Sequence, residues 1–183
     1  MVALSDVRTL HRGRFLALLD DAGWEYVTRI RGHAVVAIVA TTPDAIVLVE
    51  QRRAAVGRTV IELPAGLVGD HDGSESEAIL DAAQRELLEE TGFEATDWSV
   101  VLEGPVSAGL TDETVTLLRA TGLTRVTDGG GDASESITVH VVPLAQAQAF
   151  LRASAARGCA IDHKVLTGLW VAGQAWDQRP IEG

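Results

Sequence analysis

Seven short segments rich in β-branched, aromatic and other apolar residues are interspersed with three longer segments of helical pattern, and this order restricts the possible folds. The predicted strands cover residues 24–30, 34–40, 45–49, 59–63, 98–102, 114–118 and 137–142. The predicted helices cover residues 77–91, 144–157 and 163–172. Strands interrupted by a few helices are typical of the α+β class, or of a sandwich in which helices flank a mixed sheet.

Turn-forming residues set the expected boundaries of these elements. The stretch Thr41-Thr42-Pro43-Asp44 separates two predicted strands by a short turn, so these two strands are expected to belong to a hairpin or short meander. Thr91-Gly92 predicts a glycine stop for the first helix, and Asp162 is a suitable N-cap for the third. Residues 127–135 are rich in glycine, aspartate and serine, which predicts either an ordinary surface loop or a ligand lid.

Composition and charge exclude several classes of protein. The 183 residues show no repeat and no shift in composition, so we expect one domain that spans residues 1–183. Acidic residues outnumber basic ones by 26 to 15, a formal charge of −11, which argues against a nucleic-acid partner. The longest apolar run in the first half has seven residues, whereas a membrane span needs about 20, so we expect no membrane partner. The single cysteine, Cys159, fits a reducing compartment and a cytoplasmic protein.

Three glutamates lie on one face of the first predicted helix. At about 100° per residue, Glu90 lies about 40° and Glu89 about −60° from Glu86 around the helix axis. Nearer the start of the helix, the same face carries the apolar residues Ile79, Ala82 and Ala83. Crowded carboxylates are costly to bury without partners, and such a set of oxygen donors suits a hard divalent cation such as Mg²⁺ or Mn²⁺. The same residues would also fit a solvated helix end on which Arg85 pairs with the acids.

The sequence around these glutamates resembles the Nudix box. The run Arg85-Glu86-Leu87-x-Glu89-Glu90-x-Gly92-Phe93 matches its second half, and Glu77 stands eight positions before Arg85, as the box requires. Six positions before Glu77, where the box has glycine, this sequence has His71. Gly66, at the end of Glu62-Leu63-Pro64-Ala65-Gly66, takes the place of the box glycine, so the connection at residues 67–76 is longer than usual.

The resemblance implies the Nudix fold, an α/β/α sandwich of the α+β class in which helices flank a mixed β-sheet. It also implies a set of ligands for Mg²⁺ or Mn²⁺, which consists of the side chains of Glu86, Glu90 and the shared or bridging Glu89, together with the carbonyl oxygen of Ala65. Arg85 would orient the glutamates. Glu77 would be structural, through contacts with the helix start and the preceding loop.

Further segments resemble the ADP-ribose and nucleoside-diphosphate-sugar pyrophosphatase branch of this family. In chain order they are WEYVTR from Trp24, QRR from Gln51, ELPAG from Glu62, SAGLTDE from Ser107 and ESI from Glu135. By this resemblance Trp24 stacks on the nucleobase, and the other substrate-binding residues are Glu25, Arg29, Arg53 and Glu62. Arg29 and Arg53 would bind phosphates, and Arg52 is an alternative to Arg53.

The same branch implies a homodimer, with residues 1–30 forming an N-terminal antiparallel β extension at the contact. It implies Glu113 as the residue that activates or positions water, with Glu89 and Arg85 as the other catalytic residues. Alternatively, Glu113 is simply an exposed acid at the start of a strand. Ala108 stands where the ADP-ribose branch usually has proline, so the sequence leaves the exact substrate open.

The implied reaction is Mg²⁺-dependent hydrolysis of a nucleoside diphosphate linked to another group, such as ADP-ribose or a nucleotide sugar. The products would be a nucleoside monophosphate and a phosphorylated remainder. A housecleaning hydrolase for nucleoside triphosphates is the alternative enzyme. The alternative without catalytic activity is a Nudix-like ligand sensor. Such proteins tend to lose the box glutamates, which are all present here.

Overall fold

The computed structural model describes residues 7–32, 34–69, 76–131 and 136–173, and these ranges contain thirteen strands and three α-helices. The strands are β1 (Arg8–Arg12), β2 (Leu16–Asp21), β3 (Trp24–Arg29), β4 (Ala34–Ala40), β5 (Ala45–Arg53), β6 (Arg58–Glu62), β7 (Ala65–Val68), β8 (Phe93–Glu94), β9 (Asp97–Pro105), β10 (Thr114–Thr121), β11 (Thr124–Arg125), β12 (Ile137–Pro143) and β13 (Ala160–Ile161). The helices are α1 (Ile79–Thr91), α2 (Ala147–Ala156) and α3 (His163–Gly173).

Two four-stranded sheets lie at the centre of the part of the chain that the structure describes. One has the strand order β7–β4–β10–β9 and the other the order β12–β5–β6–β13. Both are mixed, because β10 is parallel to β4 and β13 is parallel to β6, whereas their other neighbours are antiparallel. The N-terminal strands form a separate antiparallel sheet, β1–β2–β3. The predicted fold class, with its N-terminal antiparallel extension, is therefore confirmed.

The helices cover the sheets from two sides. Side chains of β4 alternate between two apolar clusters, so this strand is buried on both faces and reads as a continuous apolar run. On one face Val36 and Ile38 pack with Leu87 of α1. On the other face Val39 belongs to a cluster that includes Val165 of α3 and residues of α2. This layering is the expected α/β/α arrangement. No helix within the described ranges is long and apolar enough to cross a bilayer.

The prediction that β4 and β5 pair in a hairpin is wrong. The turn between them forms as expected, since the Thr42 N–H donates to the Ala45 carbonyl oxygen at 2.9 Å and Thr42 Oγ1 accepts from the Ala45 N–H at 3.0 Å. However, β4 pairs with β7 and β10, whereas β5 pairs with β6 and β12. Turn residues predict where the chain reverses, but they do not determine which strands become neighbours.

Several boundaries differ from those expected. The first helix begins at Ile79 rather than residue 77, after Ala78 in an extended conformation. Strand β7 was not predicted. Strands β1 and β2 fall within the expected N-terminal extension, but their bounds were not predicted, and every residue of β1 is exposed, so it carries no apolar pattern. Two expected caps are confirmed: Gly92 adopts φ +74° at the end of α1, and Asp162 Oδ1 accepts the Lys164 N–H at 2.7 Å.

The substitution Gly92→Ala is expected to destabilise the fold more than Gly57→Ala. Both glycines have positive φ, +74° and +67°, so both variants share a backbone strain of about 1–2 kcal/mol. A Cβ on Gly92 would lie 2.2 Å from the carbonyl oxygen of Thr127, whereas a Cβ on Gly57 would meet no described atom within 4 Å. Denaturant titration should show an additional loss of at least about 1 kcal/mol in the unfolding free energy of Gly92→Ala. Equal losses in the two variants would contradict the close approach of the 127–129 segment.

Candidate active site

The acids of α1 lie at the border between the core and solvent. The face of this helix that packs on the sheet contains Ala82, Ala83 and Leu87, all fully buried. Glu90 continues this face and is only 2% exposed, whereas the side chain of Glu89 is 47% exposed. The three carboxylates therefore share one side of the helix, as the sequence predicted, but they differ widely in their access to water.

Strand β7 brings its backbone against two of these acids. A Cβ on Gly66 would lie 1.9 Å from Cδ and 2.0 Å from Oε1 of Glu86, so only glycine allows this carboxylate to lie where it does. The N–H of Ala65 donates to Oε2 of Glu90 at 3.0 Å. The structure thus brings Ala65, Gly66, Glu86 and Glu90 together where β7 meets α1.

Arg85 connects three acids with the strand that precedes the helix. Its guanidinium donates to Glu77 at 3.0 and 3.2 Å, to Glu86 at 2.7 Å and to Glu89 at 3.2 Å. It also donates to the Leu67 carbonyl oxygen of β7 at 3.0 Å. Partial burial opposes the charged form, but the bonds with Glu77 and Glu86 outweigh this effect and raise the pKa of Arg85. The guanidinium therefore stays charged and holds the acids in place.

Glu77 has the structural position that the sequence suggested. It precedes α1, and its carboxylate accepts the Gly69 N–H at 2.9 Å as well as the bonds from Arg85. Gly69 directly follows β7, so these contacts connect the two ends of the connection that was predicted to be long. Residues 70–75 of that connection, which include His71, lie outside the described residues.

A glycine-rich segment caps the C-terminal end of α1, a role that the sequence analysis missed. The N–H of Gly130 donates to the Glu90 carbonyl oxygen at 2.9 Å, and that of Gly131 donates to the Glu89 carbonyl oxygen at 3.0 Å. These bonds satisfy carbonyl groups that lack partners at a helix end. The described part of the 127–135 segment is therefore packed against the acid-bearing helix. Residues 132–135, including Glu135, lie outside the described residues.

The donor set at β7 and α1 fits a hard divalent cation in its chemistry. Carboxylates and a nearby backbone carbonyl are the ligands that Mg²⁺ and Mn²⁺ prefer. Within the described ranges, however, no three His, Cys, Asp or Glu side chains converge as a ready metal cluster. Glu86 and Glu89 both turn toward Arg85. A cation at these two side chains would therefore compete with Arg85 for their carboxylate oxygens.

Glu113 lies at another place on the same sheet, where its carboxylate forms an ion pair with Arg29. The two side chains line a groove of about 230 Å³ at the start of β10. In the strand register Thr116 lies beside Val36 and Val36 beside Gly66, so Glu113 is three residues and two strands from Gly66. This corresponds to roughly 14 Å between the Cα atoms.

The remaining predicted substrate residues form two separate groups. Arg53 donates to Glu62 at 2.7 Å, and both line a cleft between the two mixed sheets. Arg52 lies exposed and donates instead to the Gly57 carbonyl oxygen at 3.4 Å. Trp24, 66% exposed, and Glu25 lie at the far end of β3 from Arg29, about 17 Å away along the strand. The structure does not bring these two residues to the Arg29–Glu113 groove.

Comparison with known proteins places this architecture in a family. Residues 31–161 match the sequence model of the NUDIX domain, which is more than half of the chain. The chain belongs to the Nudix family. A crystal structure of an ADP compounds hydrolase shares this Nudix fold, with a TM-score of 0.66 and 21% sequence identity over 93% of this chain and 94% of that one.

Two further proteins are similar to this Nudix chain in sequence. An ADP-ribose pyrophosphatase of Mycobacterium tuberculosis (strain ATCC 25618 / H37Rv) is 40% identical over 125 residues, which cover 64% of this chain and 58% of that protein. A methanol dehydrogenase activator of Bacillus methanolicus is 30% identical over 120 residues, which cover 65% of this chain and 62% of that protein. The matches therefore span less than two thirds of the length of either relative.

The substitution Gly66→Ala is expected to weaken Mn²⁺ binding by about 10- to 100-fold, because its Cβ would occupy the position of the Glu86 carboxylate. Gly104→Ala is the matched control, since that strand glycine has its nearest neighbouring atom at 3.8 Å. Titration of Mn²⁺, followed by electron paramagnetic resonance, measures the affinities of both variants and the parent protein. Unchanged affinity in Gly66→Ala would remove Glu86 from the metal ligands.

Proposed function

We propose that this protein is a Mg²⁺- or Mn²⁺-dependent Nudix pyrophosphatase that hydrolyses a nucleoside diphosphate linked to another group, such as ADP-ribose or a nucleotide sugar. The observation that carries the proposal is the junction of β7 and α1, where Glu86 lies on Gly66 and Glu90 bonds to Ala65. Its setting in a Nudix chain, and the similarity to a protein named ADP-ribose pyrophosphatase, support this reaction class.

The metal ligands in this proposal are the side chains of Glu86, Glu89 and Glu90 and the carbonyl oxygen of Ala65. A divalent cation bound by these groups would offset the charge of the diphosphate and would lower the pKa of a bound water. Arg85 holds Glu86 and Glu89 close together by ion pairing, which lowers the repulsion between them. Arg85 is therefore a positioning residue for the ligands, and the more exposed Glu89 is the ligand that adjusts most easily.

We assign the positioning of the attacking water to Glu113, and diphosphate binding to Arg29 and Arg53. Each of these arginines is paired with a carboxylate, Arg29 with Glu113 and Arg53 with Glu62. A diphosphate must therefore compete with the carboxylate for the guanidinium. Release of Glu113 from Arg29 would free its carboxylate to accept a proton from water when substrate is present.

The proposed assembly is a homodimer in which residues 1–30 contribute to the contact. The described part of the N-terminal sheet exposes large apolar side chains, among them Phe15 at 62% and Trp24 at 66%. In such a dimer Trp24 and Glu25 would meet the base and ribose of a substrate bound to the other subunit. We further propose that residues 1–183 form a single domain that acts in the cytoplasm, where the buried thiol of Cys159 stays reduced. The excess of acidic residues supports the absence of nucleic-acid and membrane partners.

The substitution Glu90→Gln should lower kcat by about 10³-fold or more and leave the fold intact. Glutamine keeps an oxygen that can accept the Ala65 N–H, but it removes the charge that binds the cation. Steady-state kinetics with ADP-ribose and Mg²⁺ measures the loss, and thermal melting tests the fold. Near-parental turnover in a folded Glu90→Gln protein would refute the metal assignment.

Glu113→Gln should slow turnover while sparing metal binding, because its carboxylate pairs with Arg29 in the groove at β10. We expect a decrease in kcat of about 10²- to 10⁴-fold, the usual contribution of a general base. Titration of Mn²⁺ into the variant separates the two roles. If Mn²⁺ binding is lost, Glu113 is a metal ligand and not the residue that positions water.

A substrate screen tests the reaction class itself. Phosphate-coupled assays should detect nucleoside monophosphate from ADP-ribose or from nucleotide sugars such as UDP-glucose and GDP-mannose. Pyrophosphate release from deoxynucleoside triphosphates as the dominant activity would favour the housecleaning hydrolase. Tight nucleotide binding without any metal-dependent turnover would favour the ligand sensor.

A further inference from the structure

A cleft of about 600 Å³ lies between the two mixed sheets and is closed on one side by the first turn of α3. Its volume is within the usual range of small-molecule sites. Much of the wall is aliphatic and includes Val56, Val60, Leu102, Val106, Val115 and Leu117. The polar side chains lie at the corner formed by Arg53 and Glu62, at Asp162 before α3, and in the first two turns of α3. The sequence analysis predicted this helix and its N-cap but gave it no functional role.

The two permanent cations among the described lining residues are each paired with a carboxylate. Arg53 lies 2.7 Å from Glu62, and Lys164 lies 2.7 Å from Asp162. Beyond the corner of Arg53, which is assigned to the diphosphate, the cleft therefore lacks the surplus positive charge that a further phosphate group requires. Carboxylate oxygens accept hydrogen bonds from hydroxyl groups, and aliphatic walls suit the C–H faces of a ring. This combination favours an uncharged group that carries hydroxyls.

The cleft is continuous in sequence with the proposed metal site. Glu62 ends β6 in the polar corner of the cleft, and only Leu63 and Pro64 separate it from Ala65. Pro64 is fixed by the Ile38 N–H, which donates to its carbonyl oxygen at 2.8 Å. The Cα atoms of Glu62 and Ala65 are therefore at most about 11 Å apart, so a substituent on a diphosphate held at Ala65 and α1 could reach the cleft.

We propose that this cleft binds the uncharged, hydroxyl-bearing group linked to the nucleoside diphosphate, and that His163 and Thr167 of α3 determine which group is accepted. The inference rests on the proposed pyrophosphatase function and extends it to the sugar-like end of the substrate. Both residues line the cleft, and α3 begins beside the end of β6, since the Asp162 N–H donates to the Ile61 carbonyl oxygen at 3.0 Å. Because they belong to one helix turn, changes here alter the shape of the cleft without touching the acids of α1.

The test compares Thr167→Phe with Leu166→Phe in the full chain. Thr167 lines the cleft, whereas Leu166 is the next residue on the same helix, is 58% exposed and does not line it. Phenylalanine at position 167 should raise the KM for ADP-ribose by at least about tenfold. The inhibition constant of ADP, which lacks the terminal ribose, and the kcat should change less than about twofold. Leu166→Phe should behave as the parent protein.

Three outcomes would overturn the proposal. If Thr167→Phe weakens the binding of ADP-ribose and of ADP equally, the cleft belongs to the nucleoside half of the substrate. If neither the KM for ADP-ribose nor the inhibition constant of ADP changes, the cleft is not part of the substrate site. If thermal melting shows that Thr167→Phe is unfolded, the variant His163→Ala tests the proposal instead. Because His163 is exposed and at the helix start, this variant should fold and should change the ratio of kcat/KM between ADP-ribose and ADP-glucose by about threefold or more. An unchanged ratio contradicts the proposal.

Calorimetry separates failure of this inference from failure of the proposed function. Binding of ADP-ribose and ADP is measured in the presence of Ca²⁺, for parent protein and Thr167→Phe. Selective loss of ADP-ribose binding in a protein without turnover would refute the hydrolase and retain the cleft. Absence of any ADP-ribose binding to the parent protein would refute the cleft as a site for this group.

Discussion

The ion-pair network of Arg85 is the interaction on which the proposed site depends. One guanidinium contacts three carboxylates and a carbonyl oxygen, and thereby ties β7, the start of α1 and the face that bears the acids into one unit. Without it, Glu77, Glu86 and Glu89 would repel one another at short range. Arg85 neutralises only one of these charges. The network therefore allows the acids to crowd together and still leaves an excess of negative charge for a cation.

Backbone groups complete the site as much as side chains do. Glu86 reaches the backbone of β7 because Gly66 has no side chain, and Glu90 is oriented by the Ala65 N–H. At the C-terminal end of the helix, the N–H groups of Gly130 and Gly131 donate to the carbonyl oxygens of Glu90 and Glu89. Both ends of the functional segment of α1 are thus fixed by segments in which glycine permits close approach. An acid-bearing helix with frayed ends would hold its carboxylates less well.

Local and periodic features were predictable from sequence, whereas contacts between distant segments were not. Spacing and residue type were sufficient to predict which face of α1 carries the acids, that the helix ends at Gly92, and that β4 is an apolar strand. The partners of β4 are the strands that hydrogen-bond along its two edges, and no local turn signal identifies them. The cap on α1 from Gly130 uses backbone N–H groups, which every residue has, so composition alone suggested only a loop. The positions of Arg29 and Arg53 beside carboxylates likewise arise only from folding.

These paired arginines have a consequence for how substrate and metal must act together. Around α1 the total negative charge of the carboxylates is larger than the single positive charge of Arg85. The two arginines proposed for phosphate binding, Arg29 and Arg53, are already paired with Glu113 and Glu62. A diphosphate alone would therefore meet net negative charge and guanidinium groups that are engaged. A dication held at Glu86 and Glu90 would cancel two of these negative charges, so a diphosphate could then compete for Arg29. Metal binding and diphosphate binding should favour each other by the same free energy, since coupling between two sites is reciprocal.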